Sequence, residues 1–415
     1  MAGQLPPTAR KEIPDDRDEC NRLACGPVRD ATSSSRNPKP AGGQTNQGTL
    51  ASSGTDAIPP NDDSVRAARS APVYRQSYAA IDLGTNNCRL LIARASGENL
   101  VVVDAFSRVV RLGEGLAQTG RLSDAAMDRA VAALHICADK LKRRNVLLAR
   151  SVATEACRRA INGSDFIERV RAETGIFLDV ISAREEARLA VLGCHILLEP
   201  GRGPAMIFDI GGGSTELVLI ENGPGVPAIL DWKSVPWGVV SLTETLGDET
   251  GSRTERQARY ARMRALVADS FAEFAARIAP VRDRVVQNTE ALPALRLLGT
   301  SGTVTTLASL HLDLPQYDRR AVDGLIVPAE AMRKISTKLS SMSIAERREL
   351  PCIGRERADL VVAGCAILET ILDLWPANRL GVADRGIREG ILRSLIGASD
   401  AGERARATLR RLHQH

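Results

Sequence analysis

The sequence predicts an α/β fold built as two related domains that face each other across a cleft. Three observations carry this reading. An apolar strand, a turn of Gly and polar residues and a second apolar strand occur at "YAAIDLGTNNCRLLIARAS" (78–96) and again at "AMIFDIGGGSTELVLIE" (205–221), each with an aspartate closing the first strand. Around them, short strand-like runs alternate with segments of helical period, the pattern of sheets with helices on their faces. With 415 residues, of which 44% are hydrophobic, the chain can bury more than one core.

Residues 1–77 are rich in Pro, Gly, Ser, Asn, Asp and Arg and show no periodicity, so a disordered tail is expected there. Order begins with the hairpin at 78–96, followed by a strand at 99–106. Ser123 is placed to N-cap a helix over 122–144, whose apolar residues recur at helical spacing. A strand (146–153), a helix (164–174), a short strand (177–181) and a helix from 183 to about 198 follow. The second hairpin then repeats the opening. Further helices are expected near 254–280, 329–347 and 355–374, and a third glycine turn, in "ALRLLGTSGTVTTLASLHL" (294–312), runs from a strand into a helix. The expected boundaries are a first domain over 78–182 plus about 388–398, a second over 183–387, and a C-terminal tail over 399–415.

Composition excludes several classes. A formal net charge of +5 with scattered Lys and Arg, and only 3% aromatic residues, argue against a nucleic-acid-binding surface. No run approaches eighteen apolar residues and no secretory core opens the chain, so a cytoplasmic protein without a membrane partner is expected. The eight cysteines never form a C-x-x-C pair, and the five histidines form no metal set. No Ser-His-Asp or Cys-His grouping is legible, so no covalent intermediate is expected. Apolar C-terminal helices are compatible with a homodimer.

The glycine turns carry the chemistry. Backbone N–H groups of a tight turn converge on an anion where no Cβ obstructs the approach. Three such turns occur: Gly84-Thr85-Asn86, Gly211-Gly212-Gly213-Ser214-Thr215, and Gly299 to Thr303 with Ser301, Gly302 and Thr303. A dinucleotide fingerprint would need a third glycine where Glu216 stands, and a P-loop would need a lysine that no turn has. A phosphorylated ligand is the remaining reading. Asp209 and Glu216 flank the triple glycine, and beside phosphate they would repel it unless a divalent ion intervened. Mg²⁺, with few protein oxygens and shared phosphate oxygens, suits such a pair. Asp82, at the equivalent place in the first turn, joins through water or serves only as a salt-bridged strand end.

"AAIDLGTNNCRLLIA", "VVRLGEGL", "ATEACRRAINGSDFIERV", "ISAREEARLA", "IFDIGGGSTELVLI", "PWGVVSLTE", "GTSGTVTTLA" and "VADRGIREGIL" occur in that order over 78 to about 397. The ordered set resembles the exopolyphosphatase / guanosine pentaphosphate phosphatase family of the actin-like phosphotransferase superfamily. The resemblance implies two actin-like, ribonuclease H-like domains flanking the cleft. It implies a Mg²⁺-dependent phosphohydrolase acting on polyphosphate or a guanosine alarmone. Glu186, the second carboxylate of "EEAR", would activate the attacking water; Asp209 and Glu216 would hold the metal; Arg158 in "ACRRAIN" would contact the phosphate chain. Arg111, Asp384, Arg385 and Arg388, beside glycine turns, line a phosphate channel or form surface and interdomain ion pairs. The histidine-bearing helical domain of long family members is not expected here. An actin-like ATPase or kinase is the alternative enzyme, disfavoured because "GTSGTVTTL" lacks a Gly-Gly-x-x-Arg adenosine loop. A sensor that binds polyphosphate or alarmone without cleaving it is the non-catalytic one.

Overall fold

A computed structural model describes residues 76–412 apart from 98, 202, 224, 248–250 and 288–294, with side chains described up to 399. The tail expected over 1–77 lies, as far as residue 75, outside the described residues.

The first lobe comprises strands β1 (Ser77–Leu83), β2 (Asn87–Ser96) and β3 (Asn99–Val109), helices α1 (Leu116–Thr119) and α2 (Asp124–Arg143), and β4 (Val146–Ala153). Helices α3 (Glu155–Arg159) and α4 (Gly163–Thr174), strand β5 (Leu178–Val180) and helix α5 (Ala183–Cys194) follow. The second lobe opens with β6 (Pro204–Ile210), β7 (Thr215–Glu221) and β8 (Ala228–Val235), then α6 (Val239–Thr245) and α7 (Arg253–Gln287). It continues through β9 (Arg296–Thr300), α8 (Gly302–His311), α9 (Arg319–Val322), β10 (Ile326–Pro328), α10 (Ala329–Ser341) and α11 (Ile344–Arg348). Helix α12 (Val361–Leu374), strand β11 (Arg379–Ala383) and helix α13 (Ile387–Leu412) close the chain.

The two sheets share one plan. The first has the order β3-β2-β1-β4-β5 and the second β10-β11-β9-β6-β7-β8. In each, an antiparallel three-strand meander leads into parallel neighbours: β1 pairs with β4, and β6 with β9. Hairpin register is also alike. Asp82 faces Arg89 across the first hairpin, and Asp209 faces Glu216 across the second.

Several boundaries differ from those the sequence suggests, each for a local reason. Helix α7 continues through Pro280 to Gln287 because Ile278 and Val285, at helical spacing, are both buried in the second lobe's core. That burial outweighs the bond and the fit lost at one proline. The helix expected over 329–347 breaks at Met342, where Ser343 and Glu346 form a capping box that starts α11 afresh. The segment 351–360 is a turn that precedes α12. Helix α13 runs to Leu412, through most of the stretch set aside as a tail.

Helix α5 occupies the space between the sheets. Its Leu189 and Ala190 pack with Tyr78, Ala80 and Leu91 of the first sheet, while Ala187, Val191 and Cys194 pack with Ala205, Ile207 and Val218 of the second. It crosses α13 at van der Waals closeness between backbones. A Cβ on Gly193 would lie 1.9 Å from the Gly386 carbonyl oxygen, and one on Gly390 would lie 2.0 Å from that of Leu189. Glycine is the one residue that fits either place. We therefore expect Gly390→Ala to force the helices apart and lower unfolding stability by about 1–3 kcal/mol, the usual cost of overpacking. Denaturant melts with an unchanged midpoint would contradict this crossing.

Candidate active site

Both hairpin turns end over one cleft. A cavity is lined there by Asp82, Gly84, Thr85 and Asn86 of the first lobe, and by Asp209, Gly211, Gly212, Gly213 and Ser214 of the second. Ser301, Gly302 and Thr303 at the start of α8, and Glu186 from the first turn of α5, line it too. A second cavity shares Asp82, Arg89, Asp209, Ser301 and Arg357 with the first and extends past Tyr317, Arg319, Asp384, Arg385 and Arg388.

The glycines at 211–213 do not have left-handed backbone. At Gly212 and Gly213 glycine is needed because the lobes touch there. A Cβ on Gly212 would lie 3.0 Å from Thr85 Cβ and 3.1 Å from the Asn86 nitrogen, and one on Gly213 would lie 2.7 Å from Thr85 Oγ1. Gly238 backs the turn so closely that its Cβ would meet the Gly212 carbonyl carbon at 2.3 Å. Within the two turns, the N–H groups of Thr85, Asn86, Gly212 and Gly213 have no backbone acceptor among the described residues, so they remain available to an anion.

Three residues expected at the site lie beside it. Thr215 is buried and donates to the Trp237 carbonyl at 2.7 Å. Glu216 stands behind the turn, where its Oε1 accepts from the hydroxyls of Ser214 (2.7 Å) and Ser234 (2.9 Å). Arg158 lines neither cavity. Its Nη1 donates to Glu186 Oε2 at 2.7 Å and to the Ile181 carbonyl at 2.8 Å. Its Nε and Nη2 both donate to Glu155 Oε2, at 3.2 and 2.7 Å. Phosphate contact was expected of this arginine; instead it grips the carboxylate of Glu186.

Beside the glycine turns, Arg388 lines the second cavity without a carboxylate in ion-pair distance among the described residues, whereas Arg385 pairs with Asp323 at 2.7 Å and Asp384 with Arg319 at 3.1 Å. Arg111 reaches Asp359 at 3.5 Å across the lobes. Arg89, Arg357 and Glu155 also line the first cavity, and the sequence reading did not single them out. Arg89 was within reach, because the hairpin register opposes it to Asp82. No sequence signal marks Arg357, which sits in the turn before α12.

The electrostatics are polarised. Burial raises the pKa of Asp82, against the pull of Arg89 and Arg388. Burial, reinforced by Glu186, lifts Asp209 to about 7, and burial with Asp209 lifts Glu216 to about 7. Glu186 is held well above the usual carboxylate range by burial and the Glu216 charge, with Arg158 opposing. Burial lowers the pKa of Arg357 and Arg388, and neither side chain, nor that of Arg89, has an ion pair among the described residues. Half-buried cations and anions without ion pairs among the described residues, gathered in one cleft, point to missing counter-charges.

The side chains of Asp82 and Asp209 have no hydrogen-bond partner among the described residues, and both face the shared cavity. Two free carboxylates suit a hard cation such as Mg²⁺ that takes its other oxygens from water and phosphate. No set of three or more His, Cys, Asp or Glu side chains among the described residues is arranged as a complete metal cage.

Asp209 and Glu216 bind protons more tightly in the fold than an unfolded carboxyl does, whose pKa is about 4. They therefore support the fold fully below about pH 4 and withdraw that support as pH rises through about 7. In chelator, Asp209→Asn is expected to flatten this fall and to raise the thermal midpoint above that of the natural chain at about pH 8. Equal midpoints there would refute the assignment.

Comparison with known proteins places the chain in a family. The model of the Ppx/GppA phosphatase family matches residues 91–398. Exopolyphosphatase 2 of Mycobacterium tuberculosis is 31% identical over 338 residues, covering 77% of this chain and 98% of its own. A putative exopolyphosphatase of Haemophilus influenzae is 27% identical over 326 residues, covering 77% of this chain and 91% of its own. The crystal structure of the Aquifex aeolicus Ppx/GppA family member superposes with a TM-score of 0.61 at 28% identity, over 78% of this chain and 98% of that one. An exopolyphosphatase-like protein of known structure gives a TM-score of 0.66 at 29% identity, over 78% and 99% of the two chains. The two lobes are actin-like domains, and the chain belongs to the Ppx/GppA phosphatase family.

Proposed function

We propose that this protein is a Mg²⁺-dependent phosphohydrolase that releases terminal orthophosphate from inorganic polyphosphate. The observation that carries the reading is the meeting, in one cleft, of carboxylates at Asp82 and Asp209 with guanidinium groups at Arg89, Arg357 and Arg388, none of which has an ion pair among the described residues. A polyanion with a divalent cation supplies both missing counter-charges at once.

The terminal phosphoryl group would sit over the turns at 84–86 and 211–214, with its oxygens on the free amides. Glu186, its carboxylate held by Arg158, takes a proton from the water that attacks phosphorus. One P–O bond forms to that water as the bridging P–O bond breaks. The shortened chain leaves with the electron pair of the broken bond, along the side lined by Arg89 and Arg357. Mg²⁺, held by Asp82 and Asp209 with Glu216 behind them, would offset charge on the phosphoryl oxygens. Phosphoryl transfer asks mainly for position and charge stabilisation, and this cleft offers both.

A second substrate, the 5′-phosphate of guanosine pentaphosphate, is favoured by one feature. Pro315, Tyr317 and Ile353 give the second cavity an apolar wall beside Arg319 and Arg385, against which a base could lie. The buried free thiols of Cys88, Cys137, Cys157, Cys194 and Cys365 suit a reducing cytoplasm.

Orthophosphate release is to be measured with Mg²⁺ from long-chain polyphosphate, tripolyphosphate, guanosine pentaphosphate and ATP. Glu186→Ala is expected to lower kcat on polyphosphate by on the order of 10²–10⁴. Arg357→Ala is expected to raise KM, and Asp209→Asn to remove the Mg²⁺ response. Turnover of ATP alone, or full activity in Glu186→Ala, would overturn the proposal.

A further inference from the structure

Glu155 is the first residue of α3 and lines the cleft, yet its carboxylate turns to Arg158. Arg158 has five N–H donors. Four of its hydrogen bonds are made within the protein: two to Glu155, one to the Ile181 carbonyl and one to Glu186. A guanidinium so committed has at most one N–H to offer a phosphate. It also holds a planar fork in a fixed orientation, and Glu186 Oε2 sits at one tooth of that fork. The three side chains are well shielded from water: 15% exposed for Glu155, 17% for Arg158 and 8% for Glu186. Charge-assisted bonds of 2.7 Å in such surroundings are strong and directional.

The chain of contacts does not end at Glu155. A Cβ on Gly213 would lie 3.0 Å from Glu155 Cγ and 3.4 Å from its Cβ, so the stem of Glu155 runs directly beneath the second lobe's turn. That turn belongs to the opposite side of the cleft. The position of Glu155, and through it the aim of Arg158, is therefore fixed by the lobes being together.

We infer that Glu155 is a positioning residue: pressed by the Gly213 turn, it orients Arg158 so that Arg158 aligns the Glu186 carboxylate with the attacking water. The role of Arg158 is thereby alignment of the base and not grip on the phosphate chain. Lobe contact and base alignment become one event. A substrate that lets the Gly213 turn settle against Glu155 completes the site; one that props the turn away leaves Glu186 loosely held.

This inference rests on Glu186 being the water-activating base, and the experiment separates the two. Steady-state kinetics on tripolyphosphate with saturating Mg²⁺ are to be compared for the natural chain, Glu186→Ala, Glu155→Gln, Arg158→Lys and the double variant Glu155→Gln/Arg158→Lys, each with its thermal midpoint. Glu155→Gln keeps length and loses the charge-assisted pair; Arg158→Lys keeps charge and loses the fork. Each is expected to lower kcat roughly tenfold to hundredfold with KM within about twofold, since small misplacement of a reacting group costs that much. The double variant is expected to fall no further than the worse single one, as for residues acting in series. Glu155→Asp, shorter by one methylene, is expected to recover part of kcat. Full activity in Glu186→Ala would remove the premise. Loss in Glu186→Ala with undiminished kcat in Glu155→Gln, or an effect of Arg158→Lys confined to KM, would overturn the inference while leaving the hydrolase reading intact. A variant that melts early is to be assayed well below its midpoint, where the kcat-to-KM split still decides.

Discussion

The packing of one glycine turn on another is the constraint on which the rest of this molecule depends. Gly212 and Gly213 lie against Thr85 and Asn86 with no space for a single methyl group between the lobes. That approach draws Asp82 and Asp209, at the ends of equivalent strands, into one water-poor space. Burial then raises both carboxyls, with Glu186 adding to the effect at Asp209 while Arg89 and Arg388 oppose it at Asp82. The unusual acid–base character of the cleft is thus a consequence of backbone proximity, with the particular side chains coming second.

Holding unpaired charges in a cleft opposes folding, and the surrounding architecture is arranged to bear it. The second lobe has an extensive apolar core in which Trp375, Phe208, Phe271 and Phe274 are almost fully buried. Helix α5 contributes to apolar clusters under both sheets while presenting Glu186 at its amino-terminal turn. A residue that must change charge therefore rides on a helix packed into apolar clusters on both sides. Ser182 caps that helix through the Glu185 amide, so its first turn is also held locally.

The hairpins and their aspartates were legible because strand alternation and glycine turns are local signals. Asp82, Asp209, Glu186 and the turn residues other than Thr215 reach the cleft that the sequence pattern anticipates. Arg158 shows where that legibility stops: its type and spacing mark it as a functional group, but its orientation is decided by Glu155 and the Ile181 carbonyl. Arg357 and Glu155 could not be singled out, since what distinguishes them is which turn from elsewhere in the chain lies across them. The purpose of the triple glycine was also only half visible. Its bareness admits a neighbouring lobe as well as a ligand, and a single sequence displays the bareness without the neighbour. The break after α10 was in fact written locally, in the Ser343–Glu346 capping box, whereas the continuation of α7 through Pro280 depends on burial from a distant part of the chain.

The two hairpins repeat one design with its sign reversed at a single place. In the first, the strand-end aspartate faces an arginine, Arg89; in the second, it faces a glutamate, Glu216. Two copies of the first would meet as equal numbers of anions and cations and neutralise each other. Two copies of the second would meet as four acids with no arginine to set against them. Only the unlike pair yields an excess of acid together with an arginine, so the usefulness of the repeated element lies in its departure from symmetry.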